Sequence, residues 1–137
     1  MSPAITYAAL TSLVRYRDHS IRLSIRDFGT ITAPITNLGI LKSPYFSGAL
    51  HYDTARDYTN GRFVVVACLE MNIPERFALF RALTKGSLAG AEHVRTWSTS
   101  VLDLESPSPI PIELDGEIVI ARKAHFAVQP RILKVCP

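Results

Sequence analysis

Apolar and polar residues alternate most cleanly at Ile21-Arg22-Leu23-Ser24-Ile25-Arg26. In an extended chain Ile21, Leu23 and Ile25 share one face, and Arg22, Ser24 and Arg26 share the other. This is the pattern of a half-buried strand over residues 20–27. A second β-like run covers residues 30–38, where Pro34 predicts an edge strand or a bulge. Residues 63–69, Phe-Val-Val-Val-Ala-Cys-Leu, are apolar throughout and β-branched, which predicts a buried strand. Helical spacing occurs twice. In residues 2–17, Ser2 can cap, Pro3 suits the first turn, and Ile5, Ala9, Leu13 and Tyr16 recur on one side. In residues 74–85, Pro74 opens, Glu75 sits in the first turn, Phe77, Phe80 and Leu83 share a face, and Lys85 precedes Gly86. Residues 94–104 read as one long strand, broken afterwards by Ser106-Pro107-Ser108-Pro109. The stretch 41–62 carries turn chemistry at Ser43-Pro44, Gly48 and Asn60-Gly61. Strands in runs, with helices outside any strict alternation, predict an α+β fold that is mainly β. The expected form is a β-sandwich-like domain with an N-terminal helix and one further helix.

Near the end, Asp115-Gly116 separates Ile110-Pro111-Ile112-Glu113-Leu114 from Glu117-Ile118-Val119-Ile120-Ala121. Asp-Gly between two apolar runs predicts a two-residue hairpin turn. Leu114 then faces Glu117, and Ile110, Ile112, Leu114, Glu117, Val119 and Ala121 form one row. Glu117 closes that row. Under a cover it would be partly desolvated, and its raised proton affinity would suit a general base. Facing water, it would be an ordinary hairpin glutamate. Asp115 has the turn residue's usual task of hydrogen-bonding its own backbone.

Composition narrows the function classes. The chain has 137 residues, one ordinary domain over 1–137, and 47% of them are hydrophobic against 20% charged, which excludes disorder as the main state. A net charge of +3 with scattered basic residues argues against nucleic-acid binding. Cys68 and Cys136 make no disulfide framework, and Cys68 lies in an apolar run, which fits a reducing compartment. Neither a signal peptide nor a transmembrane run is recognisable. The expected location is cytoplasmic, with peripheral membrane contact left open. His51 and Asp53 lack further metal ligands nearby, so no metal is expected there. His93 and His125 read as surface or satisfied histidines, and Trp97 as a core or interface residue. Tyr45, Phe46, Tyr52 and Tyr58 concentrate in the irregular middle, either lining a lipid cleft or anchoring a long loop.

Several features recur in a telling order. The opening helix leads to a strand ending at Asp27. Then come Pro34-Ile35-Thr36-Asn37-Leu38-Gly39, Ser43-Pro44-Tyr45-Phe46-Ser47-Gly48, Asn60-Gly61, the helix around Phe77 and Leu83, and Asp115-Gly116-Glu117 before a strand ending at Pro137. Over residues 7–137 this order and spacing resemble the C-terminal domain of the diacylglycerol kinase/sphingosine kinase-type lipid kinases. The resemblance implies a β-sandwich-like second domain packed on an α/β domain that binds Mg-ATP, with a lipid hydroxyl reaching the cleft between them. It implies that Glu117 accepts the proton of that hydroxyl in phosphoryl transfer, with Asp115 and Gly116 on the cofactor side.

The sequence departs from that family in two places. No two glycines are adjacent, so the Gly-Gly-Asp-Gly-Thr phosphate loop of the ATP domain is missing. The ATP-binding domain is expected to be absent, and no cofactor is expected for this chain alone. Asn60 stands where many relatives place a magnesium-binding Asp, and Asp57 is the nearest substitute, so no metal is expected. The expectation is a lipid-kinase-related domain, inactive alone, with a separate ATP-binding domain and a lipid substrate as partners. The alternative is a non-catalytic interaction module that forms a homo-oligomer through its exposed apolar surface.

Overall fold

The computed structural model describes residues 7, 11, 14–43, 45–46, 50–52, 61–88 and 92–129. Of the opening segment, Tyr7, Thr11, Val14 and Arg15 have helical backbone, and the Thr11 hydroxyl donates to the Tyr7 carbonyl at 2.8 Å. Tyr16 and Arg17 are not helical, so the expected helix 2–17 ends earlier than its apolar spacing suggests; its remaining residues lie outside the described ones, as does the closing stretch 130–137.

Eight strands follow: β1 (His19–Ile25), β2 (Gly29–Leu41), β3 (Tyr45–Phe46), β4 (Leu50–His51), β5 (Phe63–Leu69), β6 (Val94–Thr99), β7 (Val101–Leu114) and β8 (Glu117–Ala127). Helix α1 (Ile73–Lys85) lies between β5 and β6. Six strands form one open antiparallel sheet in the order β6-β5-β2-β1-β7-β8, and β3 and β4 form a small separate pair. The class is α+β, mainly β, as the patterning predicts.

Each face of the sheet has its own core. Ile21, Leu23 and Ile25 of β1 join Ile35, Phe63, Val65, Leu102, Leu104 and Ile110 on one face. Trp97 from one edge strand and Phe126 from the other pack on the same cluster. Val66 and Cys68, on the opposite face of β5, join Tyr52, Met71, Leu79, Leu83 and Leu88 beneath α1. β5 is thus covered on both sides, which is why its sequence is apolar without alternation.

Pro34 lies in an interior strand, not at an edge. The Pro34 carbonyl accepts from Glu70 N at 3.2 Å, and its nitrogen points the same way, past Ile35–Leu69, where the β2–β5 pairing ends. The missing N–H is harmless there, and the expected bulge follows at once between Ile35 and Asn37. α1 is capped as a reciprocal box: Glu75 N donates to Asn72 Oδ1 at 3.0 Å, and Asn72 N donates to Glu75 Oε2 at 2.8 Å. Pro74 and Gly86 fall where expected.

Three expectations are corrected. The buried side of α1 is Arg76, Leu79 and Leu83, and Phe77 is exposed, because helical phase follows the 76/79/83 row. Residues 94–104 form two strands, not one. The chain leaves β5 at Ser100 and re-pairs with β1 and β8, and the Thr99 hydroxyl fastens the corner to the carbonyls of Arg26 and Val101. Ser106-Pro107-Ser108-Pro109 does not end a strand. The chain stays extended through it, and the two prolines are tolerated because the register with β8 jumps between Glu105 and Ile110.

Candidate functional site

The outer part of the β7–β8 hairpin carries the residues singled out from the sequence. Its pairing is Ile110–Ala121, Ile112–Val119 and Leu114–Glu117, the expected row. Asp115 (φ 49°) and Gly116 (φ 91°) make the two-residue turn, whose positive angles favour a glycine at the second position. Burial falls away along the row. Ile110 is 5% exposed, Ile112 half-buried and Leu114 48% exposed. On the other side Ile118 and Ile120 are 71% and 64% exposed.

Glu117 therefore begins β8 at the outer end of an apolar hairpin that leaves the core. Its side chain is exposed, and among the described residues its carboxylate has no hydrogen bond or ion pair. The cover that would desolvate it does not come from the described residues. Asp115 and Glu117 lie at this end with Glu113 on the other face of the hairpin, and no lysine or arginine shares the five residues Glu113–Glu117. A carboxylate-bearing turn without a cation does not fit a nucleotide triphosphate, so no step through ATP is derived from this chain. Among the described residues no group of three His, Cys, Asp or Glu is placed to hold a metal. Asp53, Asp57, Tyr58 and Asn60 lie outside them.

The motif Asn37-Leu38-Gly39 has a structural use. Asn37 Nδ2 donates to the Tyr52 hydroxyl at 2.9 Å, and the Tyr52 ring lies over Gly39 so closely that a Cβ there would stand 2.8 Å from the ring. Tyr52 is buried, and burial pushes its hydroxyl up to about 12, with the Asn37 bond opposing. This tyrosine anchors the irregular middle. Tyr45 is exposed and its ring lies 5.7 Å from that of His51. His93 and His125 meet carboxylates: His93 Nε2 is 3.4 Å from Glu75, and His125 Nδ1 is 2.7 Å from Asp103. Cys68 is wholly buried, and burial pushes its thiol up to about 12, so it is inert.

Sequence reasoning missed Arg76. Its guanidinium donates to the carbonyls of Met71 and Tyr16 and to Asp18 Oδ1 at 2.9 Å, and lies over the Tyr16 ring. Thr36 also donates to Asp18, at 3.0 Å. This cluster ties the segment before β1 to α1 and β2. Its only signal was an arginine at the core phase of the helix.

No protein-family model matches the sequence, and no curated protein is similar to it in sequence. The fold is similar to that of solved structures. One is a putative diacylglycerol kinase from Bacillus anthracis str. Sterne, with TM-score 0.67 and 8% identity, covering 94% of this chain and 47% of that one. A second structure of a putative diacylglycerol kinase from the same organism gives TM-score 0.66 at 10% identity, over 88% of this chain and 41% of that one. A third, described as a diacylglycerol kinase, gives 0.65 at 8%, over 89% and 44%. The chain thus spans less than half the length of these proteins. The class defined here is an open, mainly β α+β domain with a protruding hairpin. More particularly, its fold is that of a diacylglycerol kinase-like domain, in line with the resemblance carried by the sequence.

Proposed function

We propose that this chain is the lipid-side domain of a lipid-kinase-type phosphotransferase, inactive alone and completed by a separate ATP-binding domain. The observation that carries this reading is the β7–β8 hairpin, where Glu117 stands at the end of an apolar surface left uncovered by the described residues. Leu114 and Val119 beside it, and Ile118 and Ile120 behind it, make a surface that a partner would desolvate. Under that cover the Glu117 carboxylate acts as the base for a lipid hydroxyl, and the nucleotide is held by the partner. The fold likeness supports the same arrangement, since each similar protein is about twice as long.

The test is reconstitution. The chain is mixed with a nucleotide-binding domain carrying Gly-Gly-Asp-Gly-Thr, and phosphate transfer from radiolabelled ATP to diacylglycerol is followed. Transfer should need both proteins, and Glu117→Gln should lower it by about 10²–10⁴-fold, the span of a general base. Transfer by the pure chain would refute the need for a partner.

A second reading is a non-catalytic module that self-associates. It is favoured by exposed Ile118 and Ile120 on β8, an edge strand among the described residues. Light scattering separates the two, since a clean monomer argues against self-association.

A further inference from the structure

A second feature lies on β8, six residues past Glu117 and so roughly 20 Å along the strand. An open recess of about 530 Å³ is set into the solvent side of the sheet where β2, β1, β7 and β8 run together. The register builds it. Thr32 pairs with Arg22, Arg22 with Glu105, and Glu105 with Lys123, so one rung across four strands reads hydroxyl, cation, anion, cation. The β7 bulge supplies the end wall. There the Arg122 guanidinium donates to the Pro107 carbonyl, which holds a third cation at the rim.

Charge in the recess is unbalanced. Lys123 Nζ meets Glu105 at 2.8 Å. The Arg22 side chain lines the recess and, among the described residues, has no hydrogen bond or ion pair. The hydrogen bond and charge of Lys123 hold the Glu105 carboxyl below its usual range, and the fields of Arg22 and Arg122 add to this. Three cations thus converge on one carboxylate. Ser106 lines the same recess. It is 3% exposed, and its hydroxyl is buried without a hydrogen-bond partner among the described residues. Ser106 is in phase with buried Leu102 and Leu104 and not with Glu105, so its hydroxyl belongs to the core face of β7 and not to the open recess.

We propose that this recess is a binding site for a phosphomonoester group, held by Arg22, Arg122 and Lys123 with Thr32 as hydroxyl donor. A dianion balances the two cations that Glu105 leaves over, and its oxygens accept from guanidinium, ammonium and hydroxyl groups in the usual manner of charge-assisted contacts. The group is either a free phosphate or the head of a phosphorylated lipid. The inference does not rest on the role of Glu117.

The full chain, labelled with ¹⁵N, is titrated with inorganic phosphate while amide shifts are followed. In parallel, flotation is compared on phosphatidylcholine vesicles with and without phosphatidic acid. Saturable shifts at Arg22, Thr32 and Lys123 support the site. Flotation that needs phosphatidic acid and is competed by phosphate assigns it to a lipid head, and saturation by phosphate without flotation assigns it to the free ion. Arg22→Gln, which removes an exposed and unpartnered side chain, should fold normally and weaken binding about tenfold. The proposal is overturned if neither phosphate nor phosphatidic acid binds, or if Arg22→Gln binds like the wild type.

Discussion

β5 and β8 each contain an unbroken apolar run, Phe63–Leu69 in one and Ile118-Val119-Ile120 in the other, yet the sheet treats them oppositely. β5 lies between β2 and β6 with α1 over one face and the main cluster on the other. β8 lies at the edge among the described residues, and Ile118, Val119 and Ile120 are all exposed. The same residue types therefore serve two ends. A run of β-branched residues says that burial is wanted, and only topology says whether the chain supplies it. In β5 the chain does so itself. In the outer hairpin the demand is left over, which makes that surface the candidate for a partner.

Two leucines of one strand put this contrast to its hardest test. Leu102 is fully buried in β7, and Leu114, at the other end, is 48% exposed. Leu102→Ala should cost about 2–5 kcal/mol in urea denaturation, through lost transfer energy and the cavity left behind. Leu114→Ala should change stability by less than about 0.5 kcal/mol. Equal effects would break the contrast, because the hairpin would then be part of the core. Next in size is Arg76→Met. Asp18 would keep Thr36 but lose its charged partner, and a loss of up to about 3 kcal/mol is expected for this nearly buried pair. Gly39→Ala forces the Tyr52 ring aside and should cost about 1–3 kcal/mol.

The strand pattern was largely legible because it rests on local periodicity. Ile21, Leu23 and Ile25 alternate, and the Asp115-Gly116 turn dictates the Leu114–Glu117 register. What escaped was long-range. Nothing local says that the chain turns at Ser100, because that corner is made by the Thr99 hydroxyl reaching Arg26 across the sheet. Proline chemistry at 106–109 reads as a stop, and the structure makes it a bulge because β8 can skip the unpaired residues. The Glu117 site was legible as a position but not as an environment, since burial of a hairpin end depends on what covers it. The phosphate recess was invisible, because Arg22, Glu105 and Lys123 lie far apart in sequence and meet only through the register.

Alkaline pH should separate the two regions again, through the face of β5 under α1. The Cys68 thiol is raised from about 9 to about 12 and the Tyr52 hydroxyl from 10 to about 12, both mainly by burial. Above pH 9 the unfolded chain releases the thiol proton while the folded chain keeps it. The native state then binds more protons, and stability falls as pH rises, at up to about 1.4 kcal/mol per pH unit for each such group. The loss begins near pH 9 with Cys68 and steepens near pH 10 with Tyr52, and no loss from these groups is expected below that. Tyr52→Phe should remove the second part of the slope in urea melts at pH 10 and 11. An unchanged slope would mean that Tyr52 already reaches water.

The smallest effect on stability is expected where the effect on association is largest. Replacing Ile118 and Ile120 together by serine removes two side chains that are 71% and 64% exposed, so almost no buried area is lost and stability should move by about 0.5 kcal/mol or less. The same change strips the apolar character from one face of the hairpin. If that face is used, sedimentation or light scattering will show self-association abolished, or the reconstituted phosphotransfer reaction will need a higher concentration of the partner for the same rate. A double variant that unfolds would place these isoleucines in the core after all, and the distinction between β5 and β8 would fail at its clearest point. A double variant that stays folded and loses association would locate the missing cover on Ile118 and Ile120, on the face of the hairpin behind Glu117.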